Sequence, residues 1–175
     1  MLERTFQFAT AKRSPLLLAA TLLIATSQGS ALAETKKIVM HHATGTFTVK
    51  ITPEASEPAG ADHAPTSRFG LLKTFSGALQ GTAHGTMMAI GTPAPGSSAA
   101  YVALDQFTGS LDGRSGGFVL VHRGTMKKNG ETDLEVIIAP DSGTGALAGV
   151  SGELTIKVVG GEHHYDLAYQ LPDGA

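Results

Sequence analysis

From about residue 45 onward, apolar and polar side chains alternate in short runs, and apolar residues almost nowhere recur at the three-and-four spacing of a helix. Runs rich in Val, Ile, Phe, Tyr and Thr are separated every 8–12 residues or so by glycine beside Ser, Thr, Asp or Asn. A period of two suits a strand with one buried face, and frequent turn signals predict short antiparallel strands. Eight follow, at about 45–51, 68–76, 78–91, 99–108, 117–126, 131–139, 152–159 and 164–171. Ala146–Val150 has room for one helical turn at most. Proline removes a ladder donor, so Pro53, Pro58 and Pro65 predict a loop over Thr52–Ser67, and Pro93 and Pro95 another over Gly91–Ser98. Loops this long more often gate or bind than merely connect. Asn129-Gly130, between two strand patterns, is the strongest hairpin signal.

A weak internal repeat turns this list of strands into an architecture. Phe75-Ser-Gly77-Ala-Leu79-Gln-Gly81 recurs as Phe107-Thr-Gly109-Ser-Leu111-Asp-Gly113, and again without the Phe as Gly143-Thr-Gly145-Ala-Leu147-Ala-Gly149. On a strand, the Phe, Gly, Leu and Gly of each copy lie on one face. Large side chains spaced by glycine on one face suit a sheet that curls tightly. The expectation is an all-β domain, an antiparallel eight-stranded β-barrel.

The first residues read differently. Arg4, Lys12 and Arg13 form a basic leader, the apolar run Pro15–Ala25 follows, and Ala31-Leu32-Ala33 presents small residues where a signal peptidase cuts. Eleven apolar residues are far short of the ~20 that span a bilayer as a helix. Residues 1–33 are therefore expected to be a cleaved secretory signal, leaving 34–175 as a single barrel domain, periplasmic or secreted. That domain carries ten basic and fourteen acidic side chains, which disfavours nucleic acid as a partner. It has no second long apolar run, so no membrane association is expected after cleavage. The absence of cysteine excludes a lipid-anchored lipoprotein.

Phe75–Thr82 (FSGALQGT), Tyr101–Gly109 (YVALDQFTG), Gly113–Thr125 (GRSGGFVLVHRGT), Pro140–Gly152 (PDSGTGALAGVSG) and His164–Leu171 (HYDLAYQL) together resemble the bacterial family known as domain of unknown function 3224, over essentially all of 41–171. The resemblance implies a fold similar to the allene oxide cyclase barrel. It implies no activity. Asp105 stands where the family leads one to expect Glu, and the leader departs from members that usually look cytoplasmic.

Two glycine motifs carry no chemistry. Gly113-Arg-Ser115-Gly-Gly117 matches a nucleophile elbow, but that elbow needs a strand-to-helix turn and here two strands flank it. Gly143-Thr-Gly145 lacks the following helix that a dinucleotide loop requires. His41, His42, His63, His84, His122, His163 and His164 have no metal-ligand spacing, because the adjacent pairs point to opposite faces of a strand. Neither a metal nor a cofactor is expected.

Register gives a sharper cluster. A four-residue turn at Asp112–Ser115 places Asp105 opposite His122, and a two-residue turn at Asn129-Gly130 places Glu135 opposite Gly124. Asp105, His122 and Glu135 would then meet on the face of the repeat, the expected lumen, with Tyr101 and Phe107 beside them. Val102, Leu104, Val119, Val121, Leu134, Val136 and Ile138 would form an aliphatic opposite face that packs a homo-oligomer or, if the sides are reversed, the core. A carboxylate–imidazole–carboxylate set could position a ligand or move a proton, or form a satisfied polar network.

Two functions stay open on these grounds. One is an exported binding barrel holding a small apolar ligand or a partner. The other is a cofactor-free isomerase or cyclase that folds a hydrophobic substrate in the lumen. The leader makes the first prediction: N-terminal sequencing of the exported protein should begin at Glu34, and finding Met1 on soluble cytoplasmic protein would refute export.

Overall fold

The computed structural model describes residues 39–58, 60–91 and 96–172. The expected signal and its cleavage site lie outside the described residues, as do residues 92–95 of the second proline-rich loop. Nine strands follow one another: β1 (His41–Glu57), β2 (Thr66–Gly77), β3 (Leu79–Gly91), β4 (Ala99–Leu111), β5 (Arg114–Met126), β6 (Thr132–Ile138), the two-residue β7 (Thr144–Gly145), β8 (Ser151–Val159) and β9 (Glu162–Gln170). Among the described residues there is no helix. Ala146–Gly149 forms consecutive tight turns, with the Leu147 and Ala148 N–H groups donating three residues back.

Eight of these strands close into an antiparallel barrel in the order β1-β2-β3-β4-β5-β6-β8-β9 and back to β1, with β7 added to β5. Seven begin and end within three residues of their predicted limits, so β1 is the exception that needs a reason. It runs on through Pro53 to Glu57, where a loop is expected from the prolines. Beyond Phe47, β1 pairs with β2 alone, because its pairing with β9 ends at Phe47↔His163. A strand with one free edge tolerates proline, and a bulge at Glu54 absorbs the irregularity.

The ring is therefore uneven. β1 and β9 pair only over 41–47, and β6 meets β8 at the single pair Ile137↔Glu153. Above that level β1–β6 continue as a curved sheet, whose last pairs include Thr66↔Ile90 and Met126↔Thr132. The barrel thus has a narrow closed end and a wide end.

The narrow end is packed by the repeat. Leu79, Leu111 and Leu147, one from each copy, are fully buried. Phe75 and Phe107 meet edge-to-face at 5.7 Å, and Phe118 lies tilted on Phe107 at 4.9 Å. The Tyr165 hydroxyl accepts from the Leu79 N–H at 2.8 Å and donates to the Ser76 carbonyl at 3.2 Å, tying β9 to the β2–β3 connection. Gly81 and Gly109 pair directly, beside Phe75 and Gly116. A Cβ on Gly109 would collide with the Gln80 carbonyl and come within 2.8 Å of the Gly81 Cα. Both obstacles are backbone, so no side-chain movement relieves them.

Gly109→Ala should therefore destabilise the protein by about 1–3 kcal/mol or more, as overpacking of a close-packed core does. The urea midpoint of unfolding reads this directly, and an unchanged midpoint would show that the wall is not tight there.

Candidate functional site

Along β2, β4 and β5 the inward positions are mostly apolar, small or glycine, and three buried ones are not. Lys73 lies between the inward Leu71 and Phe75, Asp105 between Ala103 and Phe107, and His122 between Leu120 and Gly124. Their residual exposures are 7%, 0% and 3%, so all three are core residues. Lys73 and Asp105 are two strands apart, with β3 between them. The inward residues of β3 at this level are Ala83, opposite Lys73, and Gly85, opposite Asp105. These small residues leave the lysine a path across the sheet.

The three side chains converge on one oxygen. Asp105 Oδ2 accepts from Lys73 Nζ and from His122 Nε2, the latter at 2.8 Å. With Nε2 protonated, the 3.4 Å between Nζ and Nε2 is the approach of two donors to a shared acceptor. Lys73 also sits over the Phe47 ring, 5.7 Å from its centre. Asp105 Oδ1 is buried without a hydrogen-bond partner. It lies over Gly85, where a Cβ would collide with it and approach the Leu104 carbonyl to 2.7 Å.

Burial alone pushes the Asp105 carboxyl up. The His122 hydrogen bond and the Lys73 charge outweigh it and hold the group below the ordinary aspartate value. Asp105 is thus a carboxylate in a dry setting. A neutral His122 that donates from Nε2 keeps its Nδ1 lone pair as a base, oriented by the carboxylate. Tyr101 lies on the same inner face, half-buried, opposite Gly124. A Cβ on Gly124 would come within 2.7 Å of its Cζ. Burial first, and the Asp105 charge second, raise the Tyr101 hydroxyl pKa, so it remains a protonated donor.

Of the four residues that the sequence brings together, the structure unites Asp105 and His122, keeps Tyr101 on their face and separates Glu135. The β4–β5 hairpin turns on two residues, Asp112 and Gly113, both at positive φ, and Leu111 pairs with Arg114. His122 consequently lies opposite Ala103 and Asp105 opposite Leu120, a slip of two residues that preserves the face. The β5–β6 hairpin has the opposite consequence. Lys127 N–H bonds to the Glu131 carbonyl around a three-residue loop, Lys128-Asn129-Gly130, with Gly130 at φ +84. One extra loop residue moves the register by one and turns Glu135 outward, where it accepts from Arg123 Nε at 3.2 Å. The same slip turns Val136 and Ile138 into the core.

Lys73 is the member that sequence reasoning misses. Its signal is parity: in Leu71-Leu-Lys73-Thr-Phe75 it shares the face of two buried apolar residues. The other histidines stay apart from this cluster. His42 bonds to Asp166, His164 pairs with Glu162, His41 stacks on Tyr169, His163 packs on Phe47 and His84 is exposed. Among the described residues no three His, Asp or Glu side chains converge as metal ligands. Two surface grooves, of about 340 and 330 Å³, lie at Thr46–Val49 with His163 and at Asp112 with Tyr169. Neither is lined by the cluster.

The family described as "Protein of unknown function (DUF3224)" matches residues 43–169, which include Lys73, Asp105 and His122. The chain belongs to the DUF3224 family. A crystal structure of a DUF3224 protein with unknown function from Shewanella oneidensis MR-1 is similar to it, at 37% identity and a TM-score of 0.69, over 77% of this chain and 99% of that one. No curated protein matches.

The depressed Asp105 pKa gives a pH-dependent prediction for this DUF3224 barrel. As pH falls the unfolded carboxyl protonates first, so the Asp105 contribution is full above the ordinary aspartate pKa and is lost as pH drops through the folded value. Asp105→Asn should cost about 3–5 kcal/mol at neutral pH, since it leaves the buried Lys73 without its counter-charge. The deficit should shrink below about pH 4. Denaturant titrations of both proteins across this range check it, and a gap of constant size would disprove the ionised cluster.

Proposed function

We propose that this chain is an exported ligand-binding barrel that seats a small apolar molecule with a polar group at its wide end. The observation that carries this reading is a charged cluster buried at the base of an apolar inner wall that the ring leaves uncovered. Above Lys73, Asp105 and His122, the register sets Phe69, Met87, Tyr101 and Leu134 on the concave face of β2–β6. Phe69, Met87 and Tyr101 are half-buried and Leu134 is 42% exposed, so surface remains for an apolar ligand to cover. Barrel mouths with an apolar lining and a few convergent polar groups are the usual setting for small-molecule sites. The Tyr101 hydroxyl, kept protonated by burial and by the Asp105 charge, is a polar group on that same face.

The His122–Asp105 contact favours a second reading. An imidazole held by a carboxylate can move a proton on a bound hydrophobic substrate, as a cofactor-free isomerase or cyclase requires. The likeness to allene oxide cyclase barrels that the sequence suggests supports this by analogy of fold alone, and fold does not determine activity.

Native mass spectrometry of the protein purified from its own host separates these readings from a purely structural role. A retained small molecule, lost in Leu134→Glu and weakened in Asp105→Asn, is the expected result. Recovery of the same molecule as two isomers, with one isomer only from His122→Ala, would favour the isomerase. Protein that carries nothing from its host, and takes up nothing from a lipid extract of that host, would overturn both.

A further inference from the structure

The outward face of the strands that carry the cluster is apolar where solvent should meet it. Met88 pairs with Val102, and Leu104, Val121 and Ile137 form one cross-strand row over β4, β5 and β6. Met88 is 51% exposed, Val102 57%, Leu104 56% and Ile137 37%, and Val121 is half-buried between them. Ile90, 46% exposed, extends the patch along β3. The β3–β4 and β4–β5 ladders run without a bulge for their whole length, so these side chains stand on a regular platform.

We propose that this face binds a second copy of the same chain, sheet against sheet, about a two-fold axis near Val102 and Leu104. The patch presents about 400–500 Å² of apolar surface, the size of the largest patch on a typical monomer, which is often functional. With its surrounding rim it approaches the ~800 Å² that each partner contributes to a standard interface. Charge complementarity argues against an acidic partner, because the flanking arginines are already paired. On one side Arg68 bonds to Glu54 at 3.1 Å, and on the other Arg123 bonds to Asp133 at 2.9 Å and to Glu135 at 3.2 Å. What remains is an apolar surface whose flanking charges sum to one excess carboxylate beside Arg123, with no unpaired Arg or Lys among the described residues at its edge to hold an acidic protein or an anionic lipid headgroup. Such a surface is complementary to itself, which an isologous interface requires.

Sedimentation velocity of the purified protein at micromolar concentrations should show twice the chain mass. Leu104→Glu, with its side chain at the centre of the face, should give monomers that keep the far-UV β spectrum. Thr108→Glu, outward on the same strand but off the patch, should leave the dimer intact. A wild-type monomer at all concentrations overturns the proposal. So does a dimer that survives Leu104→Glu, or one lost equally in both variants. A monomer that pellets with phosphatidylcholine vesicles would assign the face to a lipid surface and overturn it too.

Discussion

Phe75, Phe107 and Phe118 fit inside so narrow a ring because the wall beside them carries almost no side chains. Gly81, Gly109 and Gly116 stand at one level on β3, β4 and β5, and a Cβ on any of them would strike the backbone of the neighbouring strand. The sheet can then curl hard at that level, and the aromatic rings fill the space that missing side chains leave. Much else follows from this constraint. The β2–β3 and β4–β5 turns lie at this end, and the registers they fix decide which side chains share the next level up. There Ala83 and Gly85 are the inward residues of β3, and Lys73 can reach Asp105 across them.

Stability alone is a poor account of the charged level. A buried ion pair recovers its desolvation cost only with good geometry, and well-packed apolar residues of similar volume often do as well or better. This cluster is not even fully satisfied, since two donors crowd Asp105 Oδ2 while Oδ1 has none. Half-satisfied polar groups in a dry setting are expensive, and they cluster where binding or catalysis needs them. Their place at the border between the packed ring and the open part of the sheet agrees with that view.

The barrel was legible because its pattern is regular. Alternation marks the strands, glycine beside polar residues marks the turns, and the Phe and Leu of the repeat mark the inner wall. Each copy nonetheless crosses a turn instead of lying on one strand, and Gly113 and Gly149 are turn glycines. The site was half legible for a reason of parity. Slipping the β4–β5 register by two residues left Asp105 and His122 on one face and in contact, whereas slipping β5–β6 by one sent Glu135 outside. Which hairpin would slip by which amount depended on loop geometry. Asn129-Gly130 suits a two-residue turn and equally a three-residue turn ending in glycine, and only the three-dimensional path distinguishes them. Lys73 was hidden by the general rule that lysine belongs at the surface, although Leu71 and Phe75 two positions away place it inside. Pro53 misled because an edge strand tolerates what a central strand does not.

Alternation also joins the two surfaces on which the proposals rest. Along β4, Tyr101, Ala103 and Asp105 point inward while Val102 and Leu104 point outward, and on β5 Val121 is outward beside the inward His122. No residue of one set can change its register without carrying the other set with it. A partner packed on Val102, Leu104 and Val121 would therefore restrain the same two strands that hold the Asp105 carboxylate against the His122 imidazole. The site needs that restraint more on this side than on the other. β4 and β5 pair with each other along thirteen residues, but the wall beyond them thins to the short β6 and its single bridge to β8. Association on the outer face would stiffen the part of the sheet where the barrel's own closure is weakest, and the charged cluster lies just inside it.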